Sequence, residues 1–145
     1  YAGELLVLEA VGPVKKTKLK DFIGRGINKH YVIKRLKNAE DKLTDDNITK
    51  LKEEGDKYIG LPYDIYFGWQ NDRIYCTEPV WKMYKEVLRI ELGRLEKLKD
   101  FDLSSFAVRL LMFKRYGLKI PYNEPVIAPS TMFDSKELET IETVN

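Results

Sequence analysis

Cysteine and histidine each occur once in 145 residues, which excludes an internal disulfide framework and a metal site built from several cysteines or histidines. Neither a metal nor any other cofactor is expected. Long hydrophobic runs are absent too: none approaches the roughly 18 apolar residues of a membrane-crossing helix, so no transmembrane segment is expected. Charge of one sign is also lacking. The 25 basic and 23 acidic residues leave a formal charge of +2 and a pI near 8.5, too balanced for a surface built to hold phosphates. A nucleic-acid partner is therefore not expected. Repeats and low-complexity tracts are missing as well. What remains is 43% hydrophobic and 33% charged, the composition of one folded domain over residues 1–145. The chain starts at Tyr1 and enters the apolar run Leu5–Leu8 almost at once, which reads as a shortened N-terminus.

Leu5 to Leu8, closed by Gly12-Pro13, is expected to form a buried strand. Thr17 is placed as the cap of a short helix with Leu19, Phe22 and Ile23 on one face, punctuated by Gly24 and Gly26. Tyr31 to Ile33 reads as a second strand. Thr44 followed by Asp45 and Asp46 is a helix start: a hydroxyl cap, then carboxylates at the positive end of the dipole. Leu43 and Ile48 are spaced as a hydrophobic staple, and Leu51, Gly55 and Tyr58 continue the face to Gly60. A further helix from about Ser104 to Tyr116 is expected to turn Phe106, Leu110 and Phe113 inward. The acidic end from Ser135 is expected to be loosely held.

The chemically informative stretch is Ile74-Tyr75-Cys76-Thr77-Glu78-Pro79-Val80-Trp81, a strand end running straight into a helix. Pro79 fits a first helical turn, where a missing N–H costs nothing, and it would cost about 3 kcal/mol deeper inside. That places Cys76 at the opening turn, where unpaired amides favour a thiolate. Two readings stay open on the residues alone. Cys76 is a small packing residue, as most lone cysteines are, or it is a nucleophile that needs an imidazole partner held by a third polar group.

Several runs carry a resemblance. Glu9-Ala10-Val11-Gly12-Pro13-Val14, Gly60-Leu61-Pro62-Tyr63-Asp64, Tyr75-Cys76-Thr77-Glu78 with Val80-Trp81-Lys82, and Phe101-Asp102-Leu103-Ser104 stand in the order and at the spacing of YiiX-type proteins. Those are permuted relatives of the NlpC-type and papain-like amidases, and the likeness continues through Lys114–Ile120 and Pro129–Phe133. It implies an α+β, permuted papain-like fold, with a small antiparallel sheet packed against helices and the histidine strand preceding the cysteine helix. Cys76 then matches the family nucleophile, and Glu9 the acidic residue that orients the histidine. Tyr63 and Asp64 match a Tyr-Asp pair approaching the site, and Tyr75 joins them as a substrate-binding residue. The family histidine lies upstream of Glu9 on a strand absent from this sequence, and His30 does not occupy its position. Thr77 stands where serine is common, and Pro79 where an aliphatic residue is usual.

The resemblance implies a bacterial cysteine hydrolase cleaving an amide, first of all in a cell-wall-type peptide, with a lipid amide or ester as the alternative. It also implies export to the periplasm. Two rivals from other classes stand beside it: a non-catalytic binding domain on the same fold, and an interaction module presenting Tyr66, Phe67 and Trp69.

Overall fold

The computed structural model describes residues 5–144, so Tyr1, on which the expectation of a shortened N-terminus rests, lies outside the described residues. In chain order the first elements are β1 (Leu6–Ala10), β2 (Val14–Lys18), α1 (Leu19–Gly24), β3 (Tyr31–Leu36), α2 (Ala39–Lys42) and α3 (Asp45–Asp56). Then follow α4 (Glu78–Leu88), β4 (Glu96–Lys97), α5 (Phe106–Tyr116), β5 (Pro125–Val126), α6 (Pro129–Phe133) and β6 (Leu138–Val144).

The strands form three antiparallel pairs, β1 with β2, β3 with β6 and β4 with β5. In the first pair Leu6 lies opposite Lys18 and Ala10 opposite Val14. Gly12 makes the turn possible with φ near +79°, a conformation strained for any residue with a Cβ. Strand β2 was not expected, because Val-Lys-Lys-Thr-Lys buries only Val14 and shows no apolar alternation. Thr17 accordingly caps no helix. It lies within β2, and α1 starts after Lys18.

Helix α3 starts where the sequence placed it: the Thr44 hydroxyl accepts from the Asn47 N–H at 3.3 Å, and Asp45 and Asp46 fill the first turn. It packs on α4. Gly55 permits the close approach, since a Cβ there would stand 3.0 Å from Leu8 Cδ2 and 3.1 Å from Met83 Cε. Beyond α3 the chain returns past β2. Val14 N–H donates to Leu61 O and Gly60 N–H to Val14 O, both at 2.9 Å. The next residues run parallel to the segment before Cys76, with Ile74 N–H donating to Pro62 O and Asp64 N–H to Ile74 O, each at 3.1 Å. This backbone ladder ties the β1–β2 hairpin to Ile74, two residues ahead of Cys76.

Side chains repeat the connection. Ala10, Val14 and Ile74 form one buried cluster, while Tyr75, Trp81 and Ile127 form a second. Tyr63 packs against both.

Two further expectations are corrected. Helix α5 occupies its expected place but faces the other way: Phe106, Leu110 and Phe113 are exposed, and Met112 is buried. The helix is apolar on two sides, so periodicity alone could not choose which side faces the core. The acidic tail is also ordered, because β6 pairs with β3 from Leu36–Leu138 to Tyr31–Val144.

Candidate functional site

Cys76 sits in the turn that leads into α4, one residue before its N-cap Thr77. Backbone bonds from Glu78 N–H to Tyr75 O and from Trp81 N–H to Thr77 O make the turn continuous with the helix. Pro79 occupies the first turn as expected. The thiol is exposed, which removes the reading of Cys76 as a buried packing residue.

The turn is fixed from the far side. Thr77 Oγ1 donates to Ile127 O at 2.7 Å, and Ile127 N–H donates to the buried Tyr75 hydroxyl at 2.9 Å. Burial pushes the Tyr75 phenol well above its ordinary range, so it stays neutral. Glu78, directly after Thr77, is wholly buried. Its carboxylate accepts from Tyr75 N–H at 3.3 Å and lies 2.6 Å from Lys82 Nζ, one helical turn on. Burial raises the Glu78 pKa, and the Lys82 charge only partly opposes it.

Cys76 opens on a cavity of about 390 Å³. Tyr63, Phe67 and Tyr75 line it together with Leu98, Phe101 and Leu103, and no charged side chain lines it among the described residues. A larger cavity of about 780 Å³ lies near the C-terminal end of α4. Its lining includes the Lys85–Glu91 ion pair at 2.5 Å, and Cys76 is not among its lining residues.

Tyr63 lines the same cavity as Cys76. Burial first, then the nearby Cys76, raise its phenol pKa. Asp64 is buried but does not line the cavity. Its two oxygens accept from Tyr66 N–H at 2.8 Å and Gly68 N–H at 2.7 Å, folding the loop that carries Phe67.

Glu9 ends β1 with a buried carboxylate. Thr17 Oγ1 donates to Oε1 at 2.5 Å, and Arg25 lies 2.6 Å from Oε2. Burial would raise its pKa, but the Thr17 hydroxyl and the Arg25 guanidinium outweigh that and hold it below the usual carboxylate range. The residue after it, Ala10, packs with Ile74. His30 is exposed between α1 and β3 and is not among the cavity's lining residues.

Sequence reasoning missed the contributions of Glu78 and of the Leu98–Leu103 wall. A glutamate in the first turn with lysine four residues on was the available signal for the first. The wall comes from distant segments and had no local signal. The aromatic group Tyr66, Phe67 and Trp69 does not form one exposed patch. Phe67 packs edge-on to Tyr75 at 5.4 Å and Trp69 edge-on to Trp81 at 5.5 Å, while Tyr66, 42% exposed, leans on Tyr116.

Comparison with known proteins bears on the fold and the family. Residues 2–142 match the model of a family described as permuted papain-like amidase enzyme, YaeF/YiiX, C92 family. The uncharacterized protein YiiX of Escherichia coli K12 is 44% identical over 135 residues, covering 93% of this chain and 65% of that protein. The chain thus spans somewhat less than two thirds of that relative's length. A crystal structure titled metalloprotein yiiX, from Escherichia coli O157:H7, superposes with a TM-score of 0.89 at 41% identity, covering 97% of this chain and 77% of the other. With small antiparallel sheets and six α-helices among the described residues, the chain belongs to the permuted papain-like amidase family of YaeF and YiiX.

Proposed function

We propose that the chain is the cysteine-bearing part of an amide hydrolase in which Cys76 is the nucleophile. The supporting observation is its exposed thiol at the head of a helix, opening on an apolar cavity that Tyr63 also lines. The thiolate adds to the amide carbonyl carbon, and the carbonyl π electrons move onto oxygen. The Cys76 N–H stabilises that oxyanion. A protonated histidine, oriented by Glu9 as the family resemblance implies, gives its proton to the leaving amine as the C–N bond breaks. Water then attacks the thioester, releasing the carboxylate and regenerating the thiol. The described residues place no imidazole at the cavity, so this proton donor comes from the resemblance alone.

Glu9 keeps acceptor capacity for such a histidine, because a carboxylate offers about four lone-pair sites and Thr17 and Arg25 use two. The solved relative's title calls that protein a metalloprotein. Among the described residues here no three His, Cys, Asp or Glu side chains converge as ligands, and no step of this reading passes through a metal.

For the substrate, the cavity supports the lipid amide or ester over a cell-wall peptide. A charged peptide would lose hydration against Leu98, Phe101 and Val126 with no ionic partner there, whereas an acyl chain would gain by burial. The test is hydrolysis of acyl p-nitroanilides of increasing chain length by the intact gene product. Specificity kcat/KM should rise by roughly fourfold per added methylene until the cavity is full, at about 0.8 kcal/mol each. A flat or falling series would overturn the lipid reading, and full activity in Cys76→Ala would overturn the nucleophile.

A further inference from the structure

The face of α5 opposite Met112 is apolar and open to solvent. Phe106, Leu110 and Phe113 recur at i, i+4 and i+7 and are 81%, 58% and 58% exposed, and Leu118, just beyond the helix, is 93% exposed. Continuous apolar surface of this kind is costly to hydrate and marks a contact site.

Its charge identifies the occupant. From Leu103 to Asn123 the sequence holds Arg109, Lys114, Arg115 and Lys119 and no acidic residue, although the whole chain is nearly balanced at +2. Arg109 and Lys114 flank the stripe on either side, as helical spacing places them. Arg115 lies over the Phe67 ring at 5.0 Å, on the opposite side of the helix. The acidic residues bordering the stretch are engaged elsewhere, Asp102 by Ser104 N–H and Glu124 by Trp69 N–H. An apolar stripe between cations is the pattern of a helix lying in the headgroup region of a membrane, with its side chains in the acyl boundary and its cations at lipid phosphates.

We propose that α5 and the turn after it dock the protein on an anionic lipid bilayer surface. The surface also continues toward the site. Leu103 lines both the Cys76 cavity and the groove of about 350 Å³ formed by Met112, Phe113 and Leu118. A chain drawn from the bilayer would thus have an apolar route along this wall. The docking does not rest on the chemistry proposed for Cys76, and its readout involves no catalysis.

Co-sedimentation of the intact gene product with vesicles tests it. The wild type should bind vesicles of phosphatidylcholine mixed with phosphatidylglycerol at least about tenfold more tightly than phosphatidylcholine alone. The Phe106→Ser, Phe113→Ser double variant should lose about tenfold or more on the mixed vesicles while melting at the wild-type temperature. The Arg109→Glu, Lys114→Glu double variant, which keeps the stripe, should lose the preference for phosphatidylglycerol. Absence of binding to mixed vesicles, or binding indifferent to both variants, overturns the proposal. So does a lowered melting temperature for the phenylalanine variant, which would show another segment covering the face. A dimer that this variant dissociates would assign the face to a second copy and equally overturn it.

Discussion

Glu9 and Glu78 are both buried carboxylates, one ending β1 and the other opening α4, yet their surroundings act on them in opposite directions. At Glu9, Thr17 and Arg25 overcome burial and hold the acid ionised. At Glu78 burial prevails over Lys82, and the pKa rises. A nearby cation alone does not decide the state of a buried acid. Glu9 has a hydroxyl and a guanidinium and Glu78 an ammonium and one long amide bond, two donors each, but Glu78 is the more deeply buried and its loss of hydration prevails. Ala10, next to Glu9, packs with Val14 and Ile74, and Glu78 accepts from the N–H of Tyr75, so the Glu9 bonds brace the hairpin and the Glu78 bonds the turn carrying Cys76.

The contrast breaks most sharply at Lys82. Lys82→Met leaves a buried carboxylate without its cation and should destabilise the fold by about 3 kcal/mol at pH 7. That deficit should shrink in acid as Glu78 takes up a proton, which denaturant unfolding at several pH values would show. Glu9→Gln comes next, at about 2 kcal/mol for weakened bonds to Thr17 and Arg25. Because folding lowers the Glu9 pKa, its contribution is present above the ordinary value of 4.5 and disappears as pH falls through the folded value. The gap between wild type and Glu9→Gln should therefore close below about pH 4.5. Glu78→Gln should have the smallest effect, under about 1 kcal/mol at pH 7, since the Lys82 side chain is 15% exposed and can turn its ammonium to water once the anion is gone. Its pH trend has the opposite sign. Folding raises the Glu78 pKa, so the native acid is favoured below 4.5 and that advantage is lost as pH rises through the folded value.

What could be read from sequence follows the range of the interaction. The α3 start depends on Thr44 and the next three residues, and the Cys76 turn on Ile74 to Trp81, so both were legible. Family resemblance supplied the fold class and the grouping of Tyr63 and Tyr75 with Cys76. Glu9 was legible as a residue needing a partner, but Thr17 and Arg25 were not, because Thr17 was assigned to a cap and Arg25 lies 16 residues away. Strand β6 is mostly exposed, and its pairing with β3 spans more than a hundred residues, too far for any local pattern. The inverted face of α5 is the instructive failure. Val108 and Met112 compete with Phe106, Leu110 and Phe113 for the interior, and distant contacts such as Tyr116 on Tyr66 and Arg115 over Phe67 accompany the side that is turned inward.

The central claim is covalent: the acyl group of the substrate passes through the Cys76 sulfur. Intact-mass spectrometry of the whole gene product, quenched in acid within seconds of mixing with an activated acyl amide or ester, measures it directly. The account predicts a mass gain equal to the acyl group, mapped to the peptide bearing Cys76 and absent in Cys76→Ser treated the same way. Turnover with no adduct, undiminished when the thiol is replaced, would contradict it.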